Sequence, residues 1–199
     1  MSRWERRPAP WGVLLAACLL ALPAWAQPGS ALQRGERLVG FCANCHGANG
    51  NSSAPEIPNL AGQNADYLHE QMRRFVDGRR KDLFMAGLIK AMSEAERSDA
   101  VAYLSAQTVT PRPVSASAAQ LAEGKAYYGK VCFRCHGDTA LGQGTVPRLA
   151  GQQAGYLLKS LRRYRDGTGE RLEPTMAANT KLMTDAQLQA VSLYLASLR

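Results

Sequence analysis

Two short segments of the chain combine thiols and an imidazole at one fixed spacing. Each has two cysteines three positions apart and a histidine directly after the second: Cys42, Cys45 and His46, and Cys132, Cys135 and His136. Cysteines at this spacing on a helix lie about one turn apart, which suits thioether bonds to the two vinyl groups of one haem. The histidine that follows can then bind the iron. The sequence therefore predicts two covalently bound c-type haems.

Other uses of a Cys-x-x-Cys pair fit this chain less well. Such a pair can form a disulfide, a thioredoxin-like redox centre or half of a zinc site. The histidine directly after each pair favours haem, and no βαβ pattern surrounds either pair. The first cysteines of the two pairs are 90 residues apart. A zinc site shared by both pairs would need a much longer loop than zinc ribbons usually have.

The N-terminus has the three parts of a secretory signal peptide. Arginines near the start are followed by an apolar run over 11–22 and by small residues at Ala24 and Ala26, just before Gln27. We predict a signal peptide over 1–26 and a periplasmic mature protein, and leave membrane association open. The apolar run also contains a lipobox-like segment that ends at Cys18. Lipidation of Cys18 stays an alternative, although its place inside the run argues against it.

The chain repeats itself at an offset of 89 to 91 residues. The segment Leu-Ala-Gly-Gln at 60–63 recurs at 149–152. Because each copy also holds one Cys-x-x-Cys-His segment, the repeat indicates duplication of a whole domain. The stretch 109–117 contains prolines and serines and lacks helical periodicity, so we predict a linker there. The two predicted haem domains are 27–108 and 118–199.

Helix signals are duplicated as well. At four places a serine or threonine is followed three residues later by glutamine or glutamate, which predicts capping boxes at Ser30, Ser93, Ser117 and Thr184. Apolar residues at helical spacing predict a further helix in each half, beginning near Asn64 in the first. No segment alternates as a strand does. Each half is therefore predicted to be a small all-α haem domain.

The two halves differ by one residue before their haem segments. The stretch from Gly35 to Cys42 is one residue shorter than the stretch from Gly124 to Cys132. This difference predicts that the helix leading to the first haem is angled differently from its counterpart.

The function of such a haem depends on the sixth ligand of its iron, because a methionine or histidine there closes the coordination sphere for electron transfer. Met85 and Met176 lie eight residues before the cap of the last helix in each half. We predict that they bind the two irons from a loop. Met92 and Met183 are predicted to pack against the helices that follow them. His69 has no counterpart in the second half and is predicted to lie on a helix surface.

The chain is basic, with a net charge of +8. Residues 27–110 have nine Lys and Arg against nine Asp and Glu, whereas residues 111–199 have twelve against six. The secretory signal argues against a nucleic-acid partner. Two interpretations of the basic second half stay open, a solvated face and a docking surface for an acidic partner.

As a set, these motifs resemble the dihaem cytochrome c4 family, which has two tandem class I cytochrome c domains behind a signal peptide. The resemblance covers nearly all of the mature chain. It implies an electron carrier, without catalytic residues, that passes electrons from quinol-oxidising complexes to a terminal oxidase. It also implies that the carbonyl oxygens of Pro58 and Pro147 accept the Nδ1 protons of His46 and His136.

Two other functions remain as alternatives. A dihaem electron-transfer subunit of a periplasmic dehydrogenase would share all of this chemistry and differ only in its permanent partner. A dihaem peroxidase-like enzyme would need an open or unusually ligated iron. Each half has a methionine at the equivalent position, which is predicted to bind the iron, and this argues against an enzyme.

Overall fold

The computed structural model describes Met1 and residues 29–168 and 173–199. The predictions for the signal peptide and Cys18 fall on residues 2–28, outside the described part of the chain. In the described residues, no helix is long and apolar enough to cross a membrane.

Within these ranges the chain is helical and forms no β-strand, which confirms the predicted all-α fold. The first half contains α1 (Ala31–His46), α2 (Ala65–Val76), α3 (Leu83–Ala91) and α4 (Glu94–Ser105). The second half contains α5 (Ala118–Tyr127), α6 (Phe133–His136), α7 (Ala154–Asp166), α8 (Pro174–Thr180) and α9 (Asp185–Ser197). Helices α4 and α5 flank the predicted linker, and the exact domain bounds stay a prediction.

All four predicted capping boxes are present, at the starts of α1, α4, α5 and α9. In each, the cap hydroxyl accepts a hydrogen bond from the backbone N–H three residues on, and that residue's side chain accepts from the cap N–H. The predicted helix near Asn64 is α2, which begins at Ala65. Its repeat, α7, ends at Asp166 and is capped by Gly167 with φ 64°, a left-handed conformation that glycine adopts without steric cost.

In each half, the first and last helices cross at a glycine. A Cβ on Gly35 of α1 would lie 2.1 Å from the carbonyl oxygen of Asp99 in α4. A Cβ on Gly124 of α5 would lie 2.2 Å from the carbonyl oxygen of Ala190 in α9. Beside the first crossing, the Arg34 guanidinium donates to both oxygens of Asp99 at 2.7 Å, which holds the pKa of that carboxyl below its usual range.

Each half has its own apolar core around these crossings. Fully or nearly buried in the first core are Val39, Leu68, Ala100, Val101 and Leu104. The second core is centred on Tyr128, Leu157, Leu188, Val191 and Leu195.

The extra residue of the second half is absorbed in a π-helical turn, Tyr128–Cys132, between α5 and α6. The N–H of Phe133 donates to the carbonyl of Tyr128, five residues back. One residue inserted into a helix is commonly accommodated in this way. The irregularity therefore lies in the second half, whereas α1 runs unbroken to His46.

The segments that hold Met85 and Met176 are helical, so the prediction of a loop there is wrong. Asp82 caps α3 by accepting a hydrogen bond from the N–H of Met85 at 3.0 Å. Pro174 is the first residue of α8, where its missing N–H costs no helical hydrogen bond. Each methionine is the third residue of its helix, so the two halves present them at the same position.

Candidate haem sites

The last turns of α1 bring together the first Cys-x-x-Cys-His segment. The side chain of Cys45 is exposed, Cys42 is partly buried, and His46 is buried at the end of the helix. The Nδ1 atom of His46 lies 2.9 Å from the carbonyl oxygen of Pro58. A carbonyl can only accept, so Nδ1 carries the proton and the Nε2 lone pair is available for a metal.

The second segment has the same arrangement. The side chain of His136 is buried at the end of α6, and its Nδ1 lies 3.1 Å from the carbonyl oxygen of Pro147. Cys132 is partly buried and Cys135 is exposed, as their counterparts are in the first half. Both histidines are therefore held in one tautomer and one orientation by a backbone carbonyl eleven or twelve residues further along the chain.

Burial controls the protonation of these groups. It lowers the pKa values of His46 and His136, and the nearby charge of Arg80 lowers that of His46 further. The carbonyl hydrogen bonds act in the opposite direction but more weakly. Both imidazoles are therefore neutral at pH 7, which is the form that binds a metal.

The thiols differ from those of a redox-active pair. Burial raises the pKa of Cys42, and it raises that of Cys132 to about 11. Catalytic thiol pairs need the opposite shift, because the thiolate is the reactive form. All four described cysteines are free rather than joined in disulfides. Among the described residues, no three His, Cys, Asp or Glu side chains are grouped as a set of metal ligands.

The methionines occupy two kinds of environment. Met183 is buried in the second core, and Met92 packs against the first core. Met85 and Met176 belong to neither core and are partly buried at the starts of α3 and α8. His69 is exposed on α2, as predicted.

Large apolar side chains are exposed at sequence positions near these groups. Leu83 and Phe84 precede Met85 and are 97% and 65% exposed, and Leu182 is 92% exposed between α8 and α9. Phe41, directly before Cys42, is 60% exposed. Burial of such side chains against an apolar group would be favourable. The exposure of these residues has no signal in the sequence, because an apolar residue beside a helix cap resembles ordinary core.

The residues present fit a c-type haem. Each half offers a thiol pair one helical turn apart, a neutral imidazole with Nε2 available and a thioether in the same register. The exposed apolar side chains suit the faces of a porphyrin.

Comparison with known proteins agrees with this chemistry. The family model described as Cytochrome c matches the chain twice, over residues 32–108 and 121–199. Cytochrome c4 of Pseudomonas aeruginosa is 34% identical over 194 residues, which cover 90% of this chain and 94% of that protein. The thiosulfate dehydrogenase electron acceptor of Thiomonas intermedia is 35% identical over 202 residues, covering 94% and 92% of the two chains.

A solved structure has the same fold. The crystal structure of reduced recombinant cytochrome c4 from Pseudomonas stutzeri superposes with a TM-score of 0.77 at 29% identity, covering 84% of this chain and 98% of that one. The chain belongs to the cytochrome c family, as a cytochrome c4 type electron carrier with two tandem domains and two covalently bound c-type haems.

Proposed function

We propose that the protein is a periplasmic one-electron carrier of a respiratory chain, which takes electrons from a quinol-oxidising complex and delivers them to a terminal oxidase. The observation that carries the proposal is the repeated proximal arrangement. In each half a buried histidine follows the thiol pair and is oriented by a proline carbonyl. This arrangement holds both imidazoles in the tautomer that binds a metal and fixes their orientation.

The residue roles follow from that arrangement. In the first domain Cys42 and Cys45 would attach the haem, and His46 and Met85 would bind its iron. The corresponding residues of the second domain are Cys132, Cys135, His136 and Met176. The carbonyls of Pro58 and Pro147 hold the histidines in their metal-binding tautomer, and the haem iron supplies one-electron redox chemistry.

Electron transfer suits this set of ligands better than catalysis does. An iron that bound both a histidine and a methionine thioether would keep no coordination position for peroxide or another substrate. We therefore assign no catalytic residue, and the partners are other redox proteins. Export through the N-terminal signal would place the carrier in the periplasm.

The first test is stoichiometric. The chain, secreted by a bacterial host with haem-attachment machinery, is expected to begin at Gln27 and to have the intact mass of the polypeptide plus two haems. A variant with Cys42→Ala and Cys45→Ala should retain one haem, because the second domain keeps its own thiol pair. A wild-type mass that fits one haem, or a lipid on Cys18, would contradict the proposal.

A second candidate function is a dedicated electron acceptor of a periplasmic dehydrogenase. The similarity to the thiosulfate dehydrogenase electron acceptor of Thiomonas intermedia favours it. Purification from the native host separates the two functions. A free carrier elutes alone at the mass of one chain, whereas a dehydrogenase subunit elutes with a second protein at constant ratio.

We further propose that an acidic partner docks on the second domain. Lys130 and Arg134 are exposed beside the attachment cysteines of that domain. With an offset of 90, the positions that correspond to them in the first domain are the uncharged Gly40 and Asn44. The basic excess of the second half is therefore present at the attachment site itself, where electrons would leave.

Neutralising this pair is expected to slow association. A Lys130→Gln and Arg134→Gln variant should reduce the association rate constant with an acidic redox protein roughly several-fold at low salt, because long-range attraction accelerates encounter. Stopped-flow kinetics at increasing salt should show the difference disappearing. Lys90→Gln on α3 is the matched control, since it removes an exposed charge from the first domain. An equal effect of the control would contradict docking at the second domain.

A further inference from the structure

The two domains meet through the repeated segments that follow each proximal proline. The side chains of Gln63 and Gln152, which occupy equivalent positions in the two halves, are 6% and 7% exposed. Each reaches across to the backbone of the opposite domain. In the described residues, no buried side-chain nitrogen or oxygen lacks a hydrogen-bond partner.

Gln152 of the second domain binds the backbone of Asn59 in the first. Its Oε1 accepts from the N–H of Asn59 at 2.7 Å, and its Nε2 donates to the carbonyl of Asn59 at 2.9 Å. The N–H of Asn59 belongs to the same peptide group as the carbonyl of Pro58. That carbonyl accepts the Nδ1 proton of His46.

Gln63 of the first domain makes the reciprocal contacts. Its Oε1 accepts from the N–H of Arg148 at 2.7 Å, and its Nε2 donates to the carbonyl of Arg148 at 3.0 Å. The N–H of Arg148 shares a peptide group with the carbonyl of Pro147, which accepts the Nδ1 proton of His136. One peptide group therefore joins each proximal histidine to a glutamine of the other domain.

A peptide group that donates at its nitrogen becomes a better acceptor at its oxygen. Hydrogen bonds in such a chain polarise one another, and the effect is larger in a buried setting of low dielectric. A stronger hydrogen bond at Nδ1 makes the imidazole a more electron-rich ligand, and an electron-rich ligand favours the oxidised iron.

We propose that Gln63 and Gln152 are positioning residues, each of which strengthens the proximal histidine hydrogen bond of the opposite domain and lowers the reduction potential of the haem there. The inference rests on the proposed roles of His46 and His136 as iron ligands. It makes the domain interface part of both redox centres. Separation of the domains would raise both potentials.

The test follows the three histidines of the chain by NMR. The holoprotein is labelled with ¹⁵N-histidine and reduced, so that the irons are diamagnetic and the Nδ1 protons of His46 and His136 can be observed. In Gln63→Leu, the Nδ1 proton signal of His136 should move to lower chemical shift, as it does when a hydrogen bond weakens. The signal of His46 should stay in place. Gln152→Leu should show the reverse.

Reduction potentials are the second measurement. Each haem is followed through its methyl resonances, assigned to a domain by nuclear Overhauser contacts, during a redox titration. Gln63→Leu should raise the potential of the second haem more than that of the first, and Gln152→Leu should do the opposite. The unbranched variants Gln63→Met and Gln152→Met provide the same measurement if the leucine variants fail to fold.

The neighbouring residues supply matched controls. Asn64 donates across the interface to the carbonyl of Val146 at 2.7 Å, and Gln153 donates to the carbonyl of Ser52 at 2.7 Å. Neither binds the peptide group that accepts from a proximal histidine. Asn64→Leu and Gln153→Leu should therefore leave both Nδ1 proton signals in place.

The possible outcomes separate the inference from the proposed function. A wild-type protein without two histidine-ligated haems would refute the proposed function. If the wild-type protein holds both haems, three results would each overturn the inference alone. These are a shift in the same domain as the substitution, equal shifts in both domains, or equal shifts in the control variants.

Discussion

Met85→Ala and Met176→Ala are each expected to remove about half of the weak red absorption band of Fe(III) bound by a thioether, because each domain supplies one such bond. The iron that loses its thioether should gain an accessible coordination position. Azide or imidazole, added to the oxidised protein, should then bind one haem per chain in each single variant and both haems in the double variant. Ultraviolet and visible absorption spectra, before and after ligand addition, measure both effects.

Met92 and Met183 provide the controls for this experiment. Both pack against the apolar cores, so Met92→Ala and Met183→Ala should reduce stability and leave the red band intact. If the band were lost from these variants instead, the assignment of the axial ligands would be wrong. Full retention of the band in the Met85→Ala and Met176→Ala double variant would contradict the assignment equally.

Gly35→Ala is expected to lower the free energy of unfolding by about 3 kcal/mol, a large effect for the addition of one methyl group. The new Cβ would lie 2.1 Å from the Asp99 carbonyl oxygen and 2.7 Å from the Cβ of Tyr103. Because the nearest atom belongs to the backbone, helices α1 and α4 would have to move apart. Gly124→Ala should have a similar effect on α5 and α9. Denaturant unfolding of the holoprotein, followed by circular dichroism, measures both.

A second glycine of α1 serves as the matched control. Gly40 is exposed, and no atom lies within 4 Å of the position of a Cβ added there. Gly40→Ala should therefore raise the free energy of unfolding by about 0.5 to 1 kcal/mol, because alanine loses less backbone entropy in a helix. A destabilisation by Gly35→Ala no greater than that by Gly40→Ala would show that the helix crossing tolerates a side chain.

Much of the fold could be predicted from local sequence. The four capping boxes depend on residues three positions apart, so their geometry is complete within one helical turn. The duplication is visible for the same reason, since each copy of a motif is short and nearly contiguous. The predicted haem ligands are local in the same sense, because Cys42, Cys45 and His46 occupy one turn of one helix.

Two features of the fold, helix α3 and the π-helical turn, could not be predicted from local sequence patterns. The segment before Met85 has no strong helix signal of its own, and α3 forms where Asp82 meets the N–H three residues on. The extra residue before Cys132 could have lengthened a loop or bent the helix. It enters a π-helical turn because Tyr128 is then buried in the second core, with its hydroxyl donating to the carbonyl of Gly137 at 2.5 Å.

By itself, the sequence determined the haem attachment segments, the duplication, the helical class and the register of the methionines. The hydrogen bonds from the proximal histidines to the proline carbonyls were predicted only through the resemblance to a family. Tertiary structure alone decided how the two copies face each other. It therefore also decided which glutamine binds the peptide group that accepts from each proximal histidine. That pairing joins residues 85 and 93 positions apart. Its energy depends on burial and hydrogen-bond geometry that arise only when both domains are folded and in contact.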